Sequence, residues 1–134
     1  MTTFLADLWK EYAQGDSRYM NSDPFVTIME AITAIFWGSG SFLTAWAIYT
    51  NHPIRHILQF LISTGQMYGD VLYYLTTLWE GAPHCSPHPF HFWFYFITLN
   101  GFWIVIPLII MFSSGRAMYV ALAEQQRRGK SKRL

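Results

Sequence analysis

Two acidic residues stand inside stretches of the sequence that are otherwise apolar. Glu30 lies within FVTIMEAITAIFWGSGSFLTAWAIYT, residues 25–50, and Asp70 lies within residues 57–79. An ionisable group near the middle of a membrane span costs roughly 2.5 to 3.5 kcal/mol on insertion scales, so it normally faces protein or a polar cavity. Glu30 and Asp70 therefore predict a functional site in which a carboxyl group is protonated or paired, although a tyrosine hydroxyl could also hold Asp70 structurally.

The neighbours of each acid at helical spacing are polar or aromatic. On a helix with about 3.6 residues per turn, the face within about 60° of Glu30 carries Thr33, Trp37, Ser41 and Thr44. The face that carries Asp70 also carries Gln59, Ser63, Gln66, Tyr73, Tyr74 and Thr77. Such side chains can also join helices by hydrogen bonds worth about 0.6 kcal/mol each. We assign that structural role to Ser63, Thr77 and Thr44.

A third apolar stretch, residues 90–112, contributes an amide and an indole. The face of Asn100 also carries Trp93, Phe96, Trp103 and Pro107. Trp103 can offer its ring face to a cation in a dry pocket, an interaction worth ~2 kcal/mol, or it can simply pack in the core. Three such faces predict one shared pocket. The residues expected to bind substrate there are Trp37, Asp70, Tyr73, Tyr74, Gln66 and Phe96.

The composition indicates helices in a membrane. Of 134 residues, 52% are hydrophobic and 13% are charged, which is about half the usual charged share. Each of the three stretches can cross a hydrocarbon core, which needs about 20 helical residues. The fold class predicted is all-α, a polytopic membrane bundle with three transmembrane helices. Before them, FLADLWKEY predicts a short amphipathic helix that lies at the membrane surface or packs on the spans.

The positions of the charged residues predict the topology. Six of the nine lysines and arginines follow the third stretch, which places the C-terminus in the cytosol. We divide the chain into a membrane domain, residues 1–117, and a basic, disordered cytosolic tail, residues 118–134. This charge pattern does not indicate nucleic-acid binding. The single Cys85 excludes an internal disulfide, and the histidines around it do not have a recognised metal-ligand spacing, so no metal is expected.

Several longer motifs occur in order along nearly the whole chain: LWKEYAQGDSRY, MEAIT, GQMYGDVLYYLT, HFWFYFITLNGFW and a lysine-rich end. Together they resemble the emopamil-binding protein family, the sterol 8(9) to 7(8) isomerases with an EXPERA domain. The resemblance implies an endoplasmic-reticulum enzyme of sterol biosynthesis that shifts a ring double bond by protonation and deprotonation, without a cofactor. Glu30 and Thr33 match the family's MExxT, and Asn100 and Trp103 match its NxxW. These four are the expected catalytic residues.

The resemblance also implies partners and one further segment. Family members carry an H-x-x-x-E arrangement in an earlier span, which we expect a longer form of the protein or a partner to supply. The implied ligands are a sterol substrate and cationic amphiphilic amines that pair with Glu30, in a lipid membrane. A homodimer is compatible with the sequence. The alternative function is a non-catalytic protein that binds sterols or such amines, and a third is a proton-pathway subunit that uses Glu30 and Asp70.

Overall fold

The computed structural model describes residues 3–131, and within that range all regular secondary structure is helical. The four main helices are α1 (Phe4–Ala13), α2 (Pro24–Tyr49), α3 (Arg55–Trp79) and α4 (His91–Ser131). A short 3-10 helix, Ser17–Tyr19, lies between α1 and α2. The predicted all-α class is therefore confirmed.

Side-chain acceptors begin the first two helices. The hydroxyl oxygen of Thr3 accepts a hydrogen bond from the backbone N–H of Ala6 at 3.3 Å, and the carboxylate of Asp23 accepts one from Val26 at 3.0 Å. Pro24 occupies the first turn of α2, where a backbone N–H would have no helical partner. These caps place the start of α2 at the start of the first apolar stretch.

Two of the helices contain wider π-helical segments. They are Thr33–Gly38 in α2 and His91–Leu99 in α4. A π-helix closes its hydrogen bonds over five residues instead of four, so its side chains rotate away from the directions of a regular α-helix. In α4 the segment also lets the hydroxyl of Tyr74 donate to the carbonyl oxygens of Phe96 and Ile97, at 2.9 and 2.8 Å. The register of α4 near its beginning is therefore shifted.

Two helices are long and apolar enough to cross a membrane, namely α2 with 26 residues and α4 with 41 residues. Little of their apolar surface is buried against the rest of the described chain. Apolar surface that faces outward in this way is expected of helices in contact with lipid. The 25 residues of α3 have the length of a span but not a comparable hydropathy. The structure thus supports two of the three predicted crossings.

The packed core lies where α2, α3 and α4 meet near the loop that joins α3 to α4. Val26, Tyr73 and Phe96, one from each helix, form a buried cluster. The contact between α3 and α4 is the most extensive between any two helices. Because the core is small and lies at one end, much of the remaining apolar surface faces outward.

A buried ion pair attaches the segment before α2 to α3. Asp16 and Arg18 are only 2% and 3% exposed, and their charged groups approach to 2.6 Å. The hydroxyl of Tyr73 donates to Asp16 at 2.7 Å, and the guanidinium group of Arg18 lies 4.7 Å from the centre of the Tyr73 ring. Arg18 also donates to the hydroxyl of Thr77. We call Asp16, Arg18, Tyr73 and Thr77 the Asp16 cluster. The sequence motif around Asp16 and Arg18 did not indicate an ion pair.

The C-terminal segment differs from the expectation. Disorder from residue 118 onward is wrong for the described part, because α4 continues to Ser131. The reason is local, since AMYVALAEQQRR, residues 117–128, is rich in strong helix formers and contains no proline or glycine. The rest of the predicted tail, residues 132–134, lies outside the described residues. The division at residue 117 stays a prediction.

Candidate active site

A cavity of about 670 Å³ lies among the four helices and the 3-10 helix. Its wall is mostly apolar and aromatic, with a limited number of polar groups, as is typical of small-molecule sites. Three tryptophans, Trp9, Trp37 and Trp103, contribute to the wall. The residues with polar side-chain atoms in the wall are Tyr12, Tyr19, Glu30, Thr33, Ser41, Gln66, Asp70, Tyr73, Tyr95 and Asn100.

All four residues expected to be catalytic line this cavity. Glu30 and Thr33 come from α2, and Asn100 and Trp103 come from α4. Trp103 lines the cavity and is 53% exposed within the described chain. The structure brings the four side chains together, and the roles assigned to them stay predictions.

The carboxylate of Glu30 has a hydrogen-bond partner that the sequence did not indicate. The hydroxyl of Tyr19 donates to it at 3.4 Å, whereas neither Asn100 nor Thr33 does so in the described structure. Tyr19 is held by edge-to-face packing against Trp9, with ring centres 5.4 Å apart. Burial raises the pKa of the Tyr19 hydroxyl, which therefore keeps its proton at neutral pH and remains a donor.

Asn100 is buried and its side-chain amide is fixed by neighbours on two helices. The hydroxyl of Tyr12 in α1 donates to its oxygen at 2.7 Å. Its nitrogen donates to the carbonyl oxygens of Phe96 and Tyr95, at 2.8 and 3.4 Å, across the wide turns that precede it. Burial raises the pKa of Tyr12, so this hydroxyl also stays protonated. Asn100 thus joins α1 to α4 at the cavity wall.

Asp70 has a carboxylate oxygen without a partner. Its Oδ2 atom is buried and makes no hydrogen bond with any described residue. The suggestion that a tyrosine hydroxyl holds this group structurally is therefore not supported for Oδ2. A buried carboxylate oxygen without a donor is costly, and Asp70 is also one of the residues that line the cavity.

Most of the residues expected to bind substrate lie where they were expected. Those that line the cavity are Trp37, Gln66, Asp70 and Tyr73. Tyr74 and Phe96 do not line it, which corrects the expectation for both. Tyr74 points toward α4, to whose carbonyl oxygens it donates, and Phe96 is 2% exposed in the core. The prediction for Phe96 assumed about 3.6 residues per turn, which does not hold in a π-helix. In the π segment Tyr95 and Leu99 line the cavity instead.

One wall of the cavity comes from α1, which the sequence did not place at the site. The face predicted to be apolar supplies Leu5, Leu8, Trp9 and Tyr12. Glu11, on another side of the helix, lies 3.2 Å from the imidazole of His91 at the start of α4. Of the two alternatives for this helix, packing on the spans accounts for these contacts. The apolar face was the available signal, but its partner could not be read from sequence.

The chain matches known proteins over the same region. Residues 4–114 match the family profile described as EXPERA (EXPanded EBP superfamily). The chain belongs to this family. All the cavity-lining residues, from Leu5 to Trp103, lie within the matched part of the EXPERA domain. The resemblance noted in the sequence is thereby confirmed.

Several EXPERA relatives carry functional names. The chain is 49% identical over 119 residues to the 3-beta-hydroxysteroid-Delta(8),Delta(7)-isomerase of Cavia porcellus, which covers 88% of this chain and 52% of the relative. For the isomerase of Mus musculus the identity is 52% over 109 residues, with 81% and 47% covered. An isomeliandiol synthase of Melia azedarach is 32% identical over 129 residues, with 96% and 60% covered. The chain thus spans about half the length of the curated relatives it matches.

Proposed function

We propose that this protein is a sterol Delta8-Delta7 isomerase, which moves a double bond within a sterol ring. The observation that carries the proposal is the convergence of Glu30, Thr33, Asn100 and Trp103 on one apolar cavity. The names of the isomerase relatives support the same substrate class. The cavity volume of about 670 Å³ also falls within the range of roughly 300–1,000 Å³ that is usual for small-molecule sites.

The reaction needs a proton, a stabilised cation and a second proton transfer. Protonation of one alkene carbon leaves a tertiary carbocation at the other, and loss of a proton from the neighbouring carbon forms the shifted double bond. Proton gain and loss balance, so neither an oxidant nor a redox cofactor is needed. Glu30 is the group proposed to stabilise the cation and to move a proton, and the ring of Trp103 adds cation–π stabilisation of ~2 kcal/mol in a dry site.

The hydrogen bonds of the site support a preorganised arrangement. Tyr19 donates to Glu30, and Tyr12 fixes Asn100, so neither the acid nor the amide has to reorient when charge develops. Thr33 lies one helical turn after Glu30 on the same wall. We assign to Thr33 and Asn100 the role of orienting the substrate, and to Tyr19 the role of orienting the acid.

Asp70 is proposed to anchor the polar end of the ligand. Asp70 lines the cavity, and the hydroxyl group of a 3-beta-hydroxysteroid can donate a hydrogen bond to its carboxyl group. Gln66, one turn earlier on α3, also lines the cavity and offers a second polar contact. Asp70 would thus hold the substrate, while Glu30 acts on the ring.

The finer points of membrane placement are also proposals. We propose that α3 crosses the membrane with α2 and α4, because it packs along α4 and has 25 residues. Lysines and arginines follow the apolar part of α4, which supports a cytosolic C-terminus. A location in the endoplasmic reticulum follows from the proposed place in sterol biosynthesis.

The test is isomerisation in lipid vesicles by the purified protein together with the segment that carries the expected H-x-x-x-E arrangement. An 8(9)-unsaturated sterol should be converted to the 7(8) isomer, measured by gas chromatography and mass spectrometry. Glu30→Gln should lower the rate at least about 100-fold, the scale of a lost general acid or base. The matched control is Glu80→Gln, an exposed acid at the end of α3. An unchanged rate in Glu30→Gln would remove Glu30 from the mechanism.

The alternative is a protein of the same family that binds sterols or cationic amphiphiles without turnover. The observation that favours it is a pair of carboxylates in an apolar cavity, one of which has an oxygen with no partner. A cationic amphiphilic amine would pair with either acid. Saturable binding of such an amine, lost in Glu30→Gln, together with no detectable sterol conversion by the unchanged protein, would select this alternative.

A further inference from the structure

An indole ring packed directly on a glycine shapes one part of the cavity wall. Trp37 of α2 and Gly65 of α3 both line the cavity. A Cβ atom placed on Gly65 would lie 2.4 Å from Cζ2 of Trp37, and 2.6 Å from both Cε2 and Cη2. Carbon atoms in good contact are about 3.5–4.0 Å apart. The six-membered ring of the indole therefore occupies the space that any side chain at position 65 would fill.

The same helix provides a contrast one turn later. Gly69 also lines the cavity, but a Cβ atom there would find only the sulfur of Met29, at 4.0 Å. That distance is ordinary van der Waals contact, so an alanine fits at position 69 without displacing a neighbour. Glycine is a weak helix former at both positions. Of these two glycines on the cavity side of α3, only Gly65 is required by the packing of another residue.

The direction in which the indole would move is set by its surroundings. Trp37 is attached to α2, its ring lies against α3 at Gly65, and the residue also lines the cavity. A methyl group at position 65 would push the ring by about 1 Å or more to restore normal contact. The ring would move into the cavity and reduce the space for a ligand.

We propose that Gly65 and Trp37 together determine how bulky a sterol the cavity accepts. This inference rests on the proposed function, since it concerns the substrate range of the same site. With the ring seated on Gly65, the cavity extends to the indole and admits a rigid sterol nucleus with additional ring methyl groups. With the ring displaced, the slimmer nucleus fits and the methylated one is excluded.

The test compares two 8(9)-unsaturated sterols, one without and one with additional methyl groups on the ring. The ratio of kcat/KM for the bulky over the slim sterol should fall about 10-fold in Gly65→Ala, the scale of a methyl group in an apolar pocket. In Gly115→Ala the ratio should stay within about twofold, because Gly115 does not line the cavity and its added methyl group would meet Phe60 at an ordinary contact distance of 3.5 Å. Adding Trp37→Phe to Gly65→Ala should restore the ratio, because the smaller ring no longer meets the methyl group.

Binding measurements keep this inference separate from the proposed function. Displacement of a bound cationic amphiphile by the slim and the bulky sterol gives the same ratio without turnover. If the unchanged protein does not isomerise either sterol, the proposed function fails, while the binding ratio still tests Gly65. If Gly65→Ala does not fold, Trp37→Phe alone should raise the ratio for the bulky sterol. Equal effects on both sterols, or the same effect in Gly115→Ala, would overturn the inference.

Discussion

Asp16 and the two acids of the cavity, Glu30 and Asp70, lie in different kinds of surroundings. In the Asp16 cluster, both carboxylate oxygens accept hydrogen bonds, from the guanidinium group of Arg18 and from the hydroxyl of Tyr73. In the cavity, Glu30 has one donor at 3.4 Å, and Asp70 has a buried oxygen with none. A buried acid whose oxygens are all paired contributes to the fold, whereas an acid that lines the cavity and has few protein donors is available to a ligand.

This difference separates the residues that hold segments of the chain together from the residues of the candidate site. The Asp16 cluster joins the segment after α1 to α3, and the bridge between Asp16 and Cys85 joins the same segment to the following loop. Tyr73 belongs to both regions, because its hydroxyl donates to Asp16 and its ring lines the cavity. The Asp16 cluster therefore supports the cavity wall. Variants of the cluster should lose stability, whereas variants of the cavity acids should lose ligand binding.

The largest expected effect on stability comes from breaking the ion pair. Arg18→Ala leaves Asp16 buried without its cation, which should lower the free energy of unfolding by about 3–5 kcal/mol. The measurement is thermal unfolding of the purified protein in detergent, followed by circular dichroism. The control is Lys10→Ala, which removes an exposed pair with Asp7 at 3.7 Å and should change stability by no more than about 0.5 kcal/mol. Equal small changes in both variants would show that the Asp16 cluster is not structural.

Replacing the open acid should have the opposite signature. Asp70→Asn replaces a carboxyl group that has an unpaired buried oxygen with a neutral amide of the same size, so the unfolding midpoint should not fall. Affinity for a hydroxyl-bearing sterol should fall about fivefold, because the neutral amide oxygen is a weaker acceptor than a carboxylate by about 1 kcal/mol. Sterol binding and thermal unfolding are measured on the same preparation. A loss of stability like that of Arg18→Ala would make Asp70 a structural residue instead.

Acid should remove the stability that the Asp16 cluster contributes, within a defined pH range. Burial alone would raise the pKa of Asp16, but hydrogen bonds from Arg18 and Tyr73 outweigh it and hold the pKa below its usual value. The stability from Asp16 is therefore fully present above the unfolded pKa of about 3.9 and is lost as pH falls through the lower folded pKa. The unfolding midpoint should drop more steeply below about pH 4 in the unchanged protein than in Asp16→Asn. Parallel curves would contradict this assignment.

The smallest expected effect is on the reactivity of Cys85. Burial raises the pKa of its thiol to about 11, so little thiolate is present at neutral pH and alkylation should be slow. The backbone of Cys85 forms an isolated β-bridge with the backbone of Asp16. Arg18→Ala should therefore speed the alkylation of Cys85 by iodoacetamide, measured by mass spectrometry. The denatured protein supplies the reference rate. Fast alkylation of the folded, unchanged protein would mean that this side of the Asp16 cluster is open.

Much of α2 could be predicted from sequence, and less of α4. Glu30, Thr33 and Trp37 are spaced by three and four residues, a spacing that stays on one face even where the helix widens. In α4 the wide turns come before Asn100, so the residues on its N-terminal side rotate and the prediction for Phe96 fails. Local sequence shows length and polarity, but it does not show a change of helical pitch.

The residues that sequence missed lie outside the apolar stretches. Tyr19 reaches Glu30 only because the 3-10 helix that carries it is fixed by Asp16 and Arg18. Tyr12 reaches Asn100 across 88 positions of sequence. Contacts of this kind depend on how distant segments meet, and no spacing rule for a single helix contains that information.

The wide turns of α4 have a consequence for how the protein can change. Deleting one residue from His91–Leu99 would favour a return to regular pitch and turn the N-terminal end of α4 by about 100° about its axis. His91 would then leave Glu11, while Asn100 and Trp103 kept their direction. The π segment thus sets how the residues at the loop end of α4 are rotated relative to the residues of the same helix that line the cavity.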